Sequence, residues 1–302
     1  MLRIGMDIGG SHIACGIFTE TGEMLCKVEK EINRYETSQN LKRVLISEID
    51  TLINLGSIEI SQVQKIGIGY PGLVLGDTLG PGNVNLKDEK LKVELQQRYQ
   101  KEVLIDNDVN CATIGEFLFG ALQDCRNGIM LTSGTGIGGG IIIDRQLYRG
   151  SQGMGAELGN MICINKKTIG YYCAISSLKK RIKQVMNIEE ITGEKLVEIL
   201  ENKEVYFQPG QYKKVEMILE DFIEAFAIGI YNYIKIFNPE KVILGGSFVY
   251  YEKVFLEKIK QHKLMNELRK ENMLVNIKIA ILGNDAGIVG AAFQDKIKII
   301  GS

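Results

Sequence analysis

The feature that most constrains this chain is a glycine run, GTGIGGG, at residues 134–140. Five glycines in seven residues are costly in conformational entropy, so an ordinary turn explains them poorly. The apolar residues before the run (128–132) and after it (141–144) are typical of strands. A dinucleotide-binding glycine loop must open a helix, whereas a strand follows here, and the chain has no Walker A sequence. The run therefore predicts a hairpin loop whose bare main chain approaches a ligand closely.

The same plan of strand, glycine turn and strand stands at the start of the chain. Apolar residues 2–6 are followed by DIGGS at residues 7–11 and by apolar residues 13–18. Two glycines in a hairpin turn leave main-chain N–H groups open to an anion, and Ser11 adds a hydroxyl donor. Asp7 would repel phosphate unless a cation lies between them, which suggests Mg²⁺. The repeated plan suggests two related lobes, although a plain hairpin remains the alternative for the first turn.

Composition limits the classes of partner. The chain has 302 residues, of which 45% are hydrophobic and 24% charged, enough for one large domain or two lobes. The formal net charge of −1 gives no electrostatic reason to expect nucleic acid or an anionic membrane as partner. No apolar stretch reaches the ~18 residues of a membrane helix, and no signal peptide is recognisable. We therefore expect a cytoplasmic protein.

Cysteine and histidine usage narrows the possible chemistry. The six cysteines are scattered and form no CxxC pair, which is typical of reduced thiols in the cytosol. The only histidines are His12 and His262, so a multi-histidine metal site is excluded.

The hydrophobic pattern predicts alternating helices and strands. Ser38 is the expected N-cap of an amphipathic helix over residues 38–55. The other expected strands are at residues 24–28, 65–69, 103–106, 242–244 and, as the last one, 277–282, and the other expected helices are at residues 111–122, within 175–237 and from 286.

One cluster of polar residues fits phosphoryl transfer. That reaction needs a carboxylate that accepts the hydroxyl proton and groups that hold the alcohol in line with the phosphate. The sequence DNDVN at residues 106–110, between a predicted strand and a predicted helix, supplies both, and Asp108 is the candidate base. The alternative is that Asp108 or Asn110 only caps the helix that follows.

Two further short sequences are candidates for ligand contact. In GGS, at residues 245–247, small residues after a strand let a flat group such as a nucleobase lie against the main chain. A strand-to-helix turn is the alternative. In GAELGN, at residues 155–160, the glycine-flanked Glu157 can accept hydrogen bonds from vicinal sugar hydroxyls, and a surface-loop glutamate is the alternative.

Taken together, these elements resemble the ROK family, a group of bacterial sugar kinases and sugar-responsive repressors, over nearly the whole chain. The matching elements, in order, are residues 7–11, 69–72, 107–110, 134–140, 157–159, 245–246 and 285–287. The resemblance implies an α/β, actin/hexokinase-like (ribonuclease H-like) two-lobed ATPase fold with a cleft, usually dimeric. We expect residues 1–118, joined by a C-terminal helix at about 286–302, to form the smaller lobe and residues 119–285 the larger.

The resemblance also implies roles for individual residues. The position of Asp108 is the catalytic base, that of Asn107 holds the sugar and that of Glu157 binds ring hydroxyls. Further expected sugar-binding residues are Asn160, Gly72 and Asn85. Both glycine loops embrace the ATP phosphates, and Asp7 faces Mg²⁺. The expected nucleotide-binding residues are Asp7, Gly9, Gly10, Ser11, Gly134, Thr135, Gly136, Gly138, Gly245 and Gly246.

The chain departs from the family in one region. Where the family often has a histidine after its Glu-x-Gly sequence, this chain has Asn160. The CxCGxxGC zinc cluster that usually follows, and a second sugar-binding glutamate after it, are not recognisable here. Because Cys163 and Cys173 alone cannot form a tetrahedral zinc site, we predict no zinc. We expect packing by Tyr171 and Tyr172 to order this sugar-facing loop instead.

The expected reaction is transfer of the γ-phosphoryl group of ATP to a sugar hydroxyl, O6 being the first choice. Because residues 156–159 resemble those of N-acetylmannosamine kinases, we expect N-acetylmannosamine as substrate, in sialic acid catabolism. Glucose, a β-glucoside and fructose are the alternatives. The expected partners are the sugar and ATP, with a second copy of the chain in a homodimer.

Two other classes of function remain as alternatives. A non-catalytic sugar sensor would have lost Asp108 or a glycine loop, and neither is lost. The first glycine loop begins at residue 7, which leaves no room for the DNA-binding helix-turn-helix of family repressors and favours the kinase branch. An actin-like assembly ATPase is disfavoured by the polar residues at 107, 108 and 157.

Overall fold

The computed structural model describes residues 1–33, 35–86 and 90–301. Its strands, in chain order, are β1 (Leu2–Ile8), β2 (His12–Thr19), β3 (Met24–Glu31), β4 (Val63–Tyr70), β5 (Gly72–Leu75), β6 (Thr78–Gly82), β7 (Glu102–Asn107), β8 (Gly128–Ser133), β9 (Ile137–Ile143), β10 (Gln146–Gly150), β11 (Lys241–Gly246), β12 (Asn276–Ile279) and β13 (Lys298–Gly301).

Its α-helices, in the same order, are α1 (Ser38–Leu55), α2 (Leu91–Tyr99), α3 (Asp108–Phe119), α4 (Ile169–Cys173), α5 (Ile175–Met186), α6 (Gly193–Glu201), α7 (Lys203–Tyr206), α8 (Pro209–Phe237), α9 (Glu252–Lys260), α10 (Lys263–Lys270) and α11 (Ala286–Ala292). None of the helices in the described ranges is long and apolar enough to cross a lipid bilayer.

Internal contacts divide the chain into two compact units. The first consists of Met1–Arg126, Gly140–Ala156 and the residues from Ile281 onward, and the second of Asn127–Gly139 and Glu157–Ala280. The predicted lobe limits, 1–118 with 286–302 and 119–285, stay a prediction, because units defined by their internal contacts need not coincide with lobes that move as bodies.

The first unit is built on a five-stranded sheet in the order β3-β2-β1-β4-β7. Strands β1 and β2 are antiparallel, as predicted for the opening hairpin, whereas β4 runs parallel to both β1 and β7. On one face, Ile4, Met6 and Ile8 of β1 pack in a buried cluster with Leu41 and Leu45 of α1. The alternation along β1 therefore turns Gly5 and Asp7 to the opposite face.

On that opposite face, α11 packs directly against a row of glycines in the sheet. Gly16, Gly5 and Gly67 lie side by side on β2, β1 and β4. A Cβ atom at Gly5 would lie 1.9 Å from the carbonyl oxygen of Ile288, and one at Gly67 would lie 1.7 Å from that of Ala291. The main chain of α11 therefore occupies the space that side chains would otherwise fill.

Helix α3 packs beside α11 through the same kind of contact, and its Cys111 also contacts β4, since a Cβ at Gly69 would lie 3.5 Å from that of Cys111. A Cβ atom at Gly290 would lie 1.6 Å from the carbonyl oxygen of Cys111, and one at Gly115 would lie 2.4 Å from that of Ala286. Helices α11 and α3 therefore lie at main-chain distance from each other, and both contact the sheet. This arrangement fixes the place where α3 begins relative to the end of β1.

The second unit surrounds its own parallel strands with helices. Strand β11 lies between β8 and β12, with Val242 opposite both Ile129 and Ile277. Helix α8 contributes Phe222, whose ring centroid lies 4.4 Å from that of Phe255 on α9. The long helical region predicted from residue 175 to about 237 is confirmed as α5 to α8.

Several predicted boundaries are wrong by a few residues. The N-cap of α1 is Thr37 and not Ser38, because the Thr37 hydroxyl accepts the main-chain N–H of Asn40 at 3.2 Å. Helix α3 begins at Asp108 rather than at residue 111. The second glycine loop is shorter than predicted, since β9 already begins at Ile137.

The C-terminal segment is also corrected, because residues 286–302 do not form one helix. Helix α11 ends at Ala292, a 3₁₀ turn spans Gln294–Lys296, and β13 follows. Strand β13, not the predicted strand at 277–282, is the last one; it pairs in parallel with β10, far away in sequence. Periodicity along the chain does not reveal such a partner. Ser302 lies outside the described residues.

The α3–α11 contact predicts the effect of a single methyl group. We expect Gly290→Ala to lower the free energy of unfolding by about 1–3 kcal/mol, because the new Cβ has no space at the carbonyl of Cys111. Gly210→Ala on α8 is the matched control, since a Cβ there meets nothing within 4 Å. Urea unfolding followed by circular dichroism measures both. Equal stability of the two variants would contradict the close packing of α3 against α11.

Candidate active site

Asp7 is the most unusual titratable group of the first unit. It lies on β1 between Ala14 of β2 and Gly69 of β4, and its Oδ1 is buried with no hydrogen-bond partner among the described residues. Burial first, and the charge of Asp108 second, raise the pKa of Asp7 to about 8. The free protein therefore holds this carboxyl largely protonated near neutral pH.

The surroundings of Asp7 fit a hard cation that arrives with a substrate. A Cβ atom at Gly287 would lie 2.3 Å from Oδ2 of Asp7, so any larger residue at position 287 would collide with this carboxyl group. No group of three or more His, Cys, Asp or Glu side chains in the described ranges could hold a metal ion. A single carboxylate matches Mg²⁺, which usually keeps waters and binds through one or two carboxylates and the substrate phosphates.

The turn between β7 and α3 is organised by Asn107 and not by the residues proposed as caps. The Oδ1 atom of Asn107 accepts the main-chain N–H groups of Val109 at 3.0 Å and Asn110 at 3.2 Å. The alternative that Asp108 or Asn110 provides the N-cap is therefore wrong. An Asn N-cap in this position satisfies two of the open N–H groups at the start of the helix.

Asn107 also contacts a second expected sugar-binding residue. Its Nδ2 donates to the carbonyl oxygen of Gly72 at 3.2 Å, so two of the predicted residues lie together. Because Oδ1 is engaged by the helix and Nδ2 carries two hydrogens, Asn107 has one N–H left with which to hold a sugar hydroxyl. In the predicted sugar contact, Asn107 would therefore donate a hydrogen bond to the sugar and not accept one.

Asp108 is the first residue of α3 and is half-buried. Its Oδ1 accepts the main-chain N–H of Val109 at 2.9 Å. The partial positive charge at the start of a helix favours a carboxylate there. Asp108 is also the charged neighbour that acts on Asp7, so the proposed base and the proposed cation ligand lie within electrostatic range of each other.

The first glycine turn closes tightly at its ends. The main-chain N–H of Gly9 donates to the carbonyl oxygen of His12 at 2.8 Å. A Cβ at Gly10 would meet no atom within 4 Å, and Ser11 is exposed. The tip of the turn is therefore open, as an anion-binding turn requires.

The second glycine turn accepts hydrogen bonds from the start of α5. Ser176 at the start of α5 donates its main-chain N–H to the carbonyl oxygen of Gly134 at 3.0 Å and its hydroxyl to that of Thr135 at 2.7 Å. A Cβ at Gly136 would meet nothing within 4 Å. Ser176 was not predicted from the sequence, because a serine in a helical stretch carries no signal of its own.

The sequence GGS at the end of β11 lies beside this turn. A Cβ at Gly134 would lie 3.8 Å from the hydroxyl oxygen of Ser247, and Gly246 has a left-handed φ of +62° and pairs with Ser133. Gly245 is enclosed, since a Cβ there would lie 2.7 Å from the methyl carbon of Met130. Gly138 lies within β9 and not in the loop.

Glu157 and Asn160 form a pair on a single 3₁₀ turn. The Nδ2 of Asn160 donates to Oε2 of Glu157 at 2.8 Å, and both side chains are exposed. Gly159 packs on the strand after the second glycine turn, because a Cβ there would lie 2.2 Å from the carbonyl oxygen of Ile137. Asn85, by contrast, donates to the carbonyl oxygen of Glu36 at 3.1 Å.

The segment for which the resemblance implies a zinc cluster is held here by hydrogen bonds and aromatic packing. Thr168 caps α4 by accepting the N–H of Tyr171 at 3.2 Å. The rings of Tyr171 and Tyr172 meet edge to face at 4.9 Å, but Tyr171 remains 50% exposed. Burial first, and then Cys163, raises the pKa of Cys173, which favours its neutral thiol. The absence of zinc stays a prediction.

A buried ion pair that the sequence does not predict involves Asp106, two residues before Asp108. Asp106, which is 2% exposed, accepts two hydrogen bonds from the guanidinium group of Arg149, with Nε at 3.1 Å. Arg149 lies at the end of β10, and nothing in the spacing of residues 106 and 149 indicates the contact.

Comparison with known proteins places this geometry in a family context. A sequence profile of the ROK family matches residues 3–295. A glucokinase of Halalkalibacterium halodurans is 27% identical over 97% of this chain and 94% of its own length.

Solved structures are similar over the same extent. The Lmo2764 protein of Listeria monocytogenes, provisionally named as an N-acetylmannosamine kinase, gives a TM-score of 0.79 at 26% identity, over 98% of this chain and 100% of its own. A ROK family glucokinase from Streptomyces griseus, in complex with glucose and AMPPNP, gives 0.78 at 25% identity, over 97% and 99%. These likenesses confirm the predicted actin/hexokinase-like fold class.

The raised pKa of Asp7 predicts a pH dependence of stability. Between about pH 4 and pH 8 the folded chain holds a proton that the unfolded chain releases, so the free energy of unfolding falls as pH rises through this window. Asp7→Asn should remove that slope and stabilise the free protein at pH 8 by roughly 1–3 kcal/mol. Urea unfolding at pH 5 and pH 8 measures both effects.

The exposed Asp77 provides the control, because Asp77→Asn changes the same chemical group in contact with water. Its pH dependence should match that of the wild type. A wild-type slope in Asp7→Asn would show that Asp7 is not the group responsible.

Proposed function

This chain belongs to the ROK family and is a sugar kinase, and from that premise we propose that it transfers the γ-phosphoryl group of ATP to the 6-hydroxyl of a hexose or N-acetylhexosamine. The observation that carries the proposal is the position of Asp108, a carboxylate on the first residue of α3 beside the capping Asn107. A carboxylate in this place can accept a proton from an alcohol that the neighbouring amide holds.

In the proposed reaction the sugar hydroxyl loses its proton to Asp108 while its oxygen bonds to the γ-phosphorus. The bond from phosphorus to the bridging oxygen breaks, and ADP leaves with the electron pair. The remaining N–H of Asn107 orients the hydroxyl, which lowers the entropic part of the barrier. Asp108 therefore needs to be unprotonated when the sugar binds.

We assign the phosphate groups of ATP to the two glycine turns. The open tips at Gly10 and Gly136 leave main-chain N–H groups accessible to phosphate oxygens. Mg²⁺ bound with ATP would neutralise charge on the phosphates, and Asp7 is the residue that would hold it. The small residues Gly246 and Ser247, beside Gly134, are the proposed contact for the nucleoside.

We propose N-acetylmannosamine as the sugar and glucose as the second candidate. Glu157 presents one carboxylate oxygen to ring hydroxyls while Asn160 holds the other. An amide at position 160, in place of the imidazole common in the family, leaves a shorter, neutral group in that place. The likeness to the Lmo2764 protein supports N-acetylmannosamine, whereas the likeness to glucokinases supports glucose. A cytoplasmic location and a homodimer complete the proposal.

The role of Asp108 is tested by Asp108→Asn. Loss of the proton acceptor should lower kcat by about 10²–10⁴-fold, because an amide cannot take the hydroxyl proton. Sugar affinity, measured by isothermal titration calorimetry, should stay close to that of the wild type. Asp124→Asn, at an exposed position, is the control and should keep full turnover. Wild-type turnover of Asp108→Asn would remove Asp108 from the mechanism.

The choice of sugar is tested by measuring ADP release over a panel of N-acetylmannosamine, N-acetylglucosamine, glucose, fructose and a β-glucoside. We expect the highest kcat/KM with N-acetylmannosamine, and phosphorus NMR of the product should show a 6-phosphate. If kcat/KM is highest with glucose, glucose replaces N-acetylmannosamine as the proposed substrate. Sugar binding without ADP release from any of them would favour the non-catalytic sensor.

A further inference from the structure

Arg149 makes two connections within the first unit, one through its side chain and one through its main chain. The first runs through its side chain, whose guanidinium group donates twice to Oδ2 of Asp106, with Nε at 3.1 Å. Asp106 is almost completely buried, and the guanidinium group of Arg149 offsets the cost of burying a carboxylate there. An Arg–carboxylate contact with two N–H donors also fixes the direction of the carboxylate.

The other oxygen of Asp106 holds the turn that presents Asp108. Its Oδ1 accepts the main-chain N–H of Asn107 at 2.7 Å and the side-chain Nδ2 of Asn110 at 3.0 Å. One carboxylate therefore bridges the residues on both sides of Asp108. Rotation of Asp106 would break both hydrogen bonds and release the first turn of α3.

The second connection runs through the main chain of Arg149. Its carbonyl oxygen accepts the N–H of Gly155 at 2.7 Å, which closes the loop over residues 150–155. Gly155 fits only because it lacks a side chain, since a Cβ there would lie 2.7 Å from the carbonyl carbon of Arg149. The chain then continues through Ala156, with a left-handed φ of +64°, directly into Glu157.

We propose that Arg149 is a positioning residue that sets Asn107 and Asp108 through Asp106 and closes the loop over residues 150–155 through its own carbonyl. This inference rests on the proposed function, because it assigns Arg149 to the geometry of the sugar site. Arg149 touches neither sugar nor phosphate in this scheme. Its effect on turnover comes from the direction of the proton acceptor relative to the hydroxyl.

The side-chain connection is tested by Arg149→Met, which preserves volume and removes the charge. In the folded variant we expect kcat to fall about 10–100-fold, since a small misplacement of reacting groups costs turnover on that scale. The KM for the sugar should rise, while the KM for ATP should change little. Arg149→Lys keeps the positive charge but lacks the planar guanidinium group with its two N–H donors. Its kcat should therefore lie between those of Arg149→Met and the wild type.

A double variant, Arg149→Met with Asp106→Asn, separates positioning from folding. The new amide oxygen at position 106 would still accept from residues 107 and 110, and no unpaired charge would remain buried. We expect its kcat to exceed that of Arg149→Met alone. Arg98→Met is the matched control, because Arg98 forms an exposed pair with Asp50, and it should retain wild-type kinetics.

All variants are assayed for ADP release below their melting temperatures, with circular dichroism to confirm folding. A lowered kcat in Arg149→Met, with partial recovery in the lysine and double variants, supports the inference. If the wild type is active and the folded Arg149→Met has the same kcat, the inference is overturned and the kinase assignment stays intact. The same follows if the kcat of the double variant is no higher than that of Arg149→Met alone. A wild type that turns over no sugar overturns the proposed function, and the inference with it.

Discussion

The first unit depends on one contact, the main chain of α11 lying on a row of glycines. Gly5 and Gly67 receive the carbonyl oxygens of Ile288 and Ala291, where any side chain would collide. Helix α3 lies beside α11 at the same main-chain distance, through Gly115 and Gly290. Packing at this distance tolerates almost no displacement, so it determines where the ends of β1 and α3 meet.

That meeting point creates the two carboxyl groups on which the proposed chemistry rests. Asp7 is enclosed between the sheet and Gly287 and lacks a hydrogen-bond partner for Oδ1 among the described residues, whereas Asp108 stands at a helix start that favours its charge. Burial and the nearby Asp108 raise the pKa of Asp7 to about 8, whereas the helix start stabilises a negative charge at position 108. Such a division suits one group for binding a cation with its substrate and the other for accepting a proton.

Local signals in the sequence were sufficient for most of the fold. The apolar runs around DIGGS gave the opening hairpin, and the period of residues 38–55 gave α1 with its bounds. The glycine turns and Asp108 stood out because their residue types are costly or rare in such places. Arg149 did not, since its contact with Asp106 joins residues that only the folded sheet brings together. Strand β13 was missed for the same reason, because its partner β10 is remote in sequence.

The close main-chain packing of α11 also predicts that the first unit opens rarely. A helix whose carbonyls press on bare α-carbons leaves no path for solvent, so the amides of β1, β4 and α3 should be the last to exchange with heavy water. The two aspartates would then be carried by the part of the unit that opens most rarely. The hairpin of β5 and β6 and the loop over residues 150–155 are more exposed, so their amides should exchange earlier.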